Sequence, residues 1–562
     1  MGRVLWFRLG VLIVAVLIHQ PVYASKKEDP GRIQRISYVP GELLVKFKNG
    51  MGALSSEYVH HLTGARVLDH FKFVKGLEHI QLPSSDIQEA LSYYNSHPLI
   101  EYAEPNYIYS IYGAADDVPL PDDPKFGELW GLHNTGQPDP TGLSGSYDAD
   151  IDAPEAWTTT TGSPNVVVAV IDTGIDYKHE DLAANMWVNT GEIPGNGIDD
   201  DKNDYIDDVY GYDFSNKDGD PLDDHEHGTH VAGTIAAIKD NKIGVAGVAP
   251  TVKLMAVKFL DSFGSGELSN AALGIEYAIT MGAKILSNSW GGGGFSQPLY
   301  DVISLANQNK VVFTAAAGND GKNTDGFPHY PSSYQQPNVI SVGAITNEDI
   351  LAGFSNYGIK SVHLLAPGQA ILSAIPGNNY DVMRGTSMAT PHVSGIAALL
   401  LSQEPELSPE EVKDRLIKTS DEILSVRRKV MSAGRVNAYN ALHDIIPPKA
   451  GPKDPGDWID VAHAISTPHN YPNNTDQTWT IRHPGATLLK IYFSKFDTEG
   501  GYDIVRITNK SGVEYDNVDG SMGAFWSFIV EGDTANIQFK SDANVNRYGF
   551  DIEKYAYSTT AP

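Results

Sequence analysis

The sequence predicts an α/β protein: a mostly parallel sheet with helices on both faces, preceded by a small α+β unit and followed by a β-sandwich. Three observations predict it. From about Leu129 to Leu442, short runs apolar on both faces alternate with helical spacing, at Val166–Ile171, Leu254–Phe259, Ile285–Ser287, Val311–Ala317 and Val339–Val342. That is the pattern of parallel strands covered on either side. Before them, Pro40–Lys48 alternates like a half-buried strand, Ser85–Asn95 has helical spacing, and Glu101–Tyr109 suits a closing strand. After them, Asp457 to Pro562 is aromatic and strand-like, as in Leu488–Phe496 and Ala535–Lys540, which suggests a sandwich.

The elements follow in order. Arg3 and Arg8 precede the uncharged run Leu9–Ile18, and Val22-Tyr23-Ala24 offers a small-residue cleavage site, so residues 1–24 read as an export signal. The run is too short for a stable membrane span, and no other segment resembles one. Export places the chain outside the cell or in a periplasm. The α+β unit occupies residues 25–116, and the Pro/Asp-rich stretch Gly113–Pro124 suits an exposed, cleavable joint. The α/β domain covers 117–446, a Pro/Gly-rich linker covers 447–456, and the sandwich covers 457–562.

At 562 residues the chain exceeds a single core, so several domains are expected. It carries 41 Lys+Arg against 70 Asp+Glu, a net charge of −29. Phosphate backbones repel such a surface, which excludes nucleic acid as a partner. Cysteine is absent, which removes disulfides, thiolate nucleophiles and thiolate zinc sites, and leaves stability to a large core or bound ions.

Three distant segments each place a reactive side chain beside glycine. Asp172 ends the run Val166–Ile171 and precedes Thr173-Gly174; His227 opens His227-Gly-Thr-His-Val-Ala-Gly233; Ser387 sits in Gly385-Thr-Ser-Met-Ala-Thr-Pro-His392. Alone, each has an ordinary role as a strand-end cap, helix start or N-cap. Together they are the parts of a nucleophilic hydrolase, since a serine hydroxyl needs a base and the base needs an acid to orient it. Asn319, past the run ending Ala315-Ala-Ala-Gly318, supplies an amide donor for an oxyanion. Separately, Asp199, Asp201 and Asn203 alternate, with Asp208 beyond, as oxygen ligands do in a Ca²⁺ loop.

These segments, with Ile171-Asp-Thr-Gly-Ile-Asp176, resemble those of subtilisin-like serine peptidases, from about Trp130 to Leu442. The resemblance implies a subtilisin-like sheet and a serine endopeptidase in which Asp172, His227 and Ser387 form the triad and Asn319 donates to the oxyanion. His230 and His392 match structural positions. Ser287–Gly291, containing Ser289, Trp290 and Gly291, matches the strand that pairs with substrate peptide, and Trp290 and Gly291 with Ala316, Ala317 and Gly318 line the primary specificity pocket. His329 stands where subtilisins have glycine, which narrows that pocket, and Asp320 adds charge near it. Asp181 and Asn241 match a family calcium site.

The unit before Gly113 resembles the family's inhibitory propeptides, implying a self-processing zymogen cut between roughly Tyr112 and Leu120, its tail lying through the cleft. The C-terminal domain resembles CUB domains, whose calcium-binding members place acids at positions like Glu499, Asp503 and Asp542. The expected partners are protein or peptide substrates and the chain's own propeptide, with Ca²⁺ as a structural cofactor and a monomeric enzyme. Two other functions stay open at this stage: a secreted binding protein with an inactive core, and an esterase, whose Gly-x-Ser-x-Gly elbow is not the setting of Ser387.

Overall fold

The computed structural model describes residues 38–48, 53–71, 74–83, 87–107, 118–448 and 451–560. The predicted export signal lies outside them, as do residues 112–117 of the predicted cleavage stretch.

The central sheet has nine strands. In spatial order they are Asp421–Glu422, Gly434–Arg435, Leu364–Pro367, Val339–Ile345, Val312–Ala316, Ile285–Asn288, Val167–Asp172, Lys253–Lys258 and Gly211–Asp213. All neighbours pair in parallel except the first two. Val, Ile, Leu and Ala dominate the inner strands because both faces are covered, one by a core containing Val231, Met388 and Leu399, the other by one containing Ile275, Ile303 and Tyr277. The helix Thr386–Gln403 is mostly apolar and carries no charged residue, with Met388 to Leu401 buried, which fits a helix through the domain's interior. The helix Pro409–Lys418 begins with a reciprocal cap between Ser408 and Glu411.

The N-terminal unit is an antiparallel four-stranded sheet in the order Arg66–His70, Leu77–Gln81, Tyr38–Phe47, Ile100–Tyr107, with helices Ala53–Thr63 and Gln88–Ser96. Its core, around Leu43, Ile80 and Tyr94, is joined by Ile446 from the end of the α/β domain. The C-terminal unit packs a six-stranded sheet, containing Ile459–Ser466, Gly549–Ser558 and Leu488–Asp497, with a four-stranded one, Asp476–Arg482, Thr534–Lys540, Ile504–Asn509 and Glu514–Val518. Alternate residues of both sheets, such as Ile491, Phe493, Ile507, Ile537 and Phe539, share one buried core. Among the described residues, no helix is long and apolar enough to cross a membrane.

Candidate active site

Asp172 is the last residue of its strand, at the carboxyl end of the parallel sheet, where open α/β folds assemble their sites. It is fully buried, and its Oδ1 accepts from the Thr173 N–H at 2.8 Å and from His227 Nδ1 at 2.7 Å. His227 opens the helix His227–Ala236. With Nδ1 donating to Asp172, Nε2 carries the free lone pair. Burial alone would push this imidazole down. The charge and hydrogen bond of Asp172, with Asp223 and Glu226 behind, outweigh it and hold His227 above the usual histidine range.

Two features bring strand end and helix start together. A Cβ at Gly228 would lie 2.1 Å from the Gly174 carbonyl oxygen and 3.2 Å from the Asp172 Cβ, so only glycine permits the approach. Asp223, itself buried, ties the two segments. It accepts from the Thr173 hydroxyl at 2.8 Å, the Thr229 N–H at 2.9 Å and the Thr229 hydroxyl at 2.6 Å, while Thr173 Oγ1 accepts from the Gly228 N–H at 2.9 Å. Asp223 carries no distinctive mark in the sequence. Its signal was an acid just ahead of a helix start, a common capping pattern.

Ser387 lies in the first turn of Thr386–Gln403. Its hydroxyl donates to the Ser289 carbonyl at 2.9 Å, and the Ser289 hydroxyl donates back to the Ser387 carbonyl at 2.8 Å. In this rotamer the proton is directed at the backbone. Asn319 is oriented by Thr386, whose N–H and hydroxyl both donate to Asn319 Oδ1, at 2.9 and 3.0 Å. With its oxygen so engaged, Asn319 keeps its amide hydrogens as donors.

These groups line one cleft of about 480 Å³, bounded by Thr173, His227, Ser289, Trp290, Gly291, Ala316, Gly318, Asn319, His329 and Ser387. Ala317, expected in the lining, is fully buried behind it. Asp320 and Thr386 also line it, and His225, Leu260, Phe263 and Gly264, which carry no mark in the sequence, complete the wall. The His329 ring fills the space between two glycines: a Cβ at Gly291 would lie 2.2 Å from it and one at Gly318 2.9 Å. Burial pushes His329 below the usual histidine range against the pull of Asp320. Among the described residues, the lining comes wholly from the α/β domain; the propeptide tail expected there falls on residues outside them. His230 and His392 sit away from the cleft, bonded to the carbonyls of Ile371 and Met388, and burial pushes both down to about 4.

The acidic groups fall differently from expectation. Glu192, Asp201 and Asp208 converge, so the loop recruits an upstream glutamate. Asp199 instead caps the loop backbone, accepting from the N–H groups of Asn203 and Asp204. Asn203 donates its amide to Asp208 at 3.0 Å. Asp181 is fully buried and accepts from Asn241 Nδ2 at 2.7 Å, Val245 N–H at 3.0 Å and the Tyr380 hydroxyl at 3.1 Å. The fold thus brings Asp181 and Asn241 together, as the expected pair requires. In the C-terminal domain Glu499, Asp503 and Asp542 do converge. Burial, Asp542 and Asp503 push Glu499 up, and its Oε2 is buried with no protein partner. Three convergent carboxylates, one with an unpartnered oxygen, fit the oxygen-ligand chemistry of a hard divalent cation.

The subtilase family profile matches residues 163–445. The chain belongs to the subtilase family. A fervidolysin N-terminal prodomain matches residues 26–106 of this subtilase, and a CUB domain residues 460–554. It is 37% identical over 406 residues to the thermophilic serine proteinase of Bacillus sp. (strain AK1), covering 72% of this chain and 88% of that protein. It is 35% identical over 420 residues to subtilisin J of Geobacillus stearothermophilus, covering 74% of this chain and 92% of that one. A solved protease from Pseudoalteromonas arctica aligns with 58% of this chain and 99% of its own at 30% identity, with a TM-score of 0.47. The family profile, the prodomain and the two Bacillus-type relatives make this subtilase a self-processing serine endopeptidase.

Proposed function

We propose that Ser387 is the nucleophile, His227 the general base and acid, Asp172 its orienting carboxylate, and Asn319 with the Ser387 N–H the oxyanion donors. The observation that carries this reading is the 2.7 Å bond from buried Asp172 to His227, which lines the same cleft as Ser387 and Asn319. The Ser387 hydroxyl leaves the Ser289 carbonyl, gives its proton to His227 Nε2 and attacks the scissile carbonyl carbon. Asp172 stabilises the imidazolium that forms. The tetrahedral oxyanion accepts from Asn319 Nδ2 and from the Ser387 N–H at a helix N-terminus. Collapse expels the amine, which takes the proton from Nε2, and water activated by the same imidazole then hydrolyses the acyl-enzyme. Loss of one such donor lowers turnover about 10²–10³-fold, the range set by subtilisin's own oxyanion donor.

Substrate enters as an extended strand beside Ser289–Gly291, and His329 restricts the primary pocket to small side chains. The domains run 1–24, 25–116, 117–446 and 457–562, joined by 447–456; the first directs export and the second is removed by self-cleavage. The enzyme acts outside the cell as a monomer on proteins and peptides. Glu499, Asp503 and Asp542, and separately Glu192, Asp201 and Asp208, would hold Ca²⁺, whose chemistry there is to neutralise clustered acids and stiffen loops. A fluorophosphonate probe tests the nucleophile: the mature enzyme is labelled once and loses casein hydrolysis, whereas Ser387→Ala is not labelled. Labelling of that variant removes the assignment.

A further inference from the structure

The loop that carries Asn319 is held on two sides. Toward the catalytic helix, Asn319 meets Thr386 as described. On the other side lies Asn356, buried, which grips the loop backbone throughout. Its Oδ1 accepts from the N–H groups of Asp320 and Lys322, at 3.1 and 2.9 Å; its Nδ2 donates to the Ala317 carbonyl at 2.9 Å; and its own N–H donates to the Gly318 carbonyl at 2.9 Å. The next residue, Tyr357, takes the connection out of the domain. Its N–H donates to the Lys322 carbonyl at 3.0 Å, and its hydroxyl donates to Asp519 of the C-terminal sandwich at 2.6 Å.

Asp519 is a hub between the two domains. The same carboxylate accepts from the Gly501 N–H at 2.6 Å and from Lys429 Nζ at 2.7 Å, and that ammonium also lies 4.4 Å from the Tyr357 ring centroid. Lys429 and Asp519 side chains are only 9% and 8% exposed, so this is an interior ion pair rather than a screened surface one. Burial opposes the charge of Asp519, yet Lys429, Tyr357 and Gly501 hold its carboxyl below the usual range. Gly501 itself lies against the loop: a Cβ there would sit 3.1 Å from the Gly321 carbonyl oxygen. Around this hub Arg428 grips Asp516 at 2.8 and 3.2 Å and stacks on Phe525 and Phe528, and Arg427 stacks on Phe528. The sandwich is thus seated by desolvated charge pairs on the segment that backs the oxyanion donor.

We infer that the C-terminal domain is the outer brace of the oxyanion site, with Asp519 as a positioning residue that acts through Tyr357 and Asn356 on the loop presenting Asn319. The inference rests on the assignment of Asn319 as oxyanion donor. An oxyanion donor touches only the transition state, so a displaced one lowers kcat and leaves KM unchanged.

The test uses the full-length, self-processed enzyme, with active sites counted by a serine-reactive titrant so that unfolded protein drops out of kcat. Asp519→Ala is expected to lower kcat per titrated site about 10-fold at constant KM, within the larger loss on removing the donor itself. Tyr357→Phe, which deletes one oxygen, shifts kcat in the same direction by a smaller factor and carries the test should Asp519→Ala fail to accumulate. Each change is repeated in an Asn319→Ala background, where it is expected to alter kcat less than about twofold, because coupled sites are not additive. A lowered melting temperature with unchanged kcat per site overturns the inference, as does an undiminished loss in the Asn319→Ala background. If Asn319→Ala alone leaves kcat intact, the oxyanion assignment fails and the brace with it, an outcome distinct from the other two.

Discussion

Replacing Asp172 with asparagine isolates the charge of the acid–imidazole pair, because the side-chain volume is kept. In the native enzyme Asp172 Oδ1 accepts from Thr173 N–H and His227 Nδ1, at 2.8 and 2.7 Å. The Thr173 donor demands an oxygen on that side. The carboxamide therefore keeps its oxygen toward His227, and Nδ1 remains the protonated nitrogen. What disappears is the attraction between carboxylate and imidazolium. For charge centres roughly 4 Å apart at an effective dielectric of about 20, that attraction is about 4 kcal/mol. It is realised only once His227 has taken the serine proton, so kcat falls about a thousandfold while KM changes little. The sign with pH follows from the same term. Catalysis requires neutral His227, whose pKa is raised, so native activity is lost as pH falls through a value above the ordinary histidine range. Without Asp172 the imidazole sheds its proton more readily, and the residual activity persists to lower pH. Kinetics on a chromogenic peptide from about pH 5 to about pH 9 separate kcat from KM and locate that limb. A loss smaller than tenfold, or a limb that stays in place, would refute the argument.

Other expectations are as direct. Ser387→Ala should accumulate the unprocessed precursor, seen by N-terminal sequencing; correct processing in that variant would mean cleavage in trans by another protease. His329→Gly should open the primary pocket and raise the preference for Phe over Ala at the cleaved position by roughly 10- to 100-fold in kcat/KM; an unchanged ratio would show that the ring does not bound the pocket. Calcium at a hundred times its Kd should stabilise the enzyme by about 2.7 kcal/mol per site, lost in a chelator and reduced in Glu499→Gln; a melting temperature indifferent to chelator would dismiss the cation.

Much of this molecule is legible in its sequence. Asp172, His227, Ser387 and Asn319 announced themselves because the chemistry demands glycine or tight turns beside each, and those leave local marks in the chain. The buried strands were legible for a similar reason: coverage on both faces forces unbroken apolar runs, as Val167–Asp172 shows. What stayed hidden depends on partners distant in sequence. Asp223 is an unremarked acid until Thr173 arrives beside it, 50 residues away along the chain. Glu192 joins Asp201 and Asp208 only when the loop folds back, whereas Asp199, with the right spacing, spends its oxygens on backbone. Asp181 and Asn241, 60 residues apart, meet side chain to side chain only in the fold. The brace through Asp519 spans 162 residues to Tyr357, and periodicity carries no trace of such a pairing.

The abutment of Gly228 on the Gly174 carbonyl has a further consequence. A peptidase is surrounded by copies of itself, and any stretch of its own chain that loosens becomes a meal for a neighbour. Many exported proteins guard their vulnerable turns with covalent cross-links, which a chain without cysteine cannot make. Here two backbones approach so closely that no Cβ fits between them. The place where acid and imidazole meet is thereby one where position 228 is closed to every side chain larger than a hydrogen.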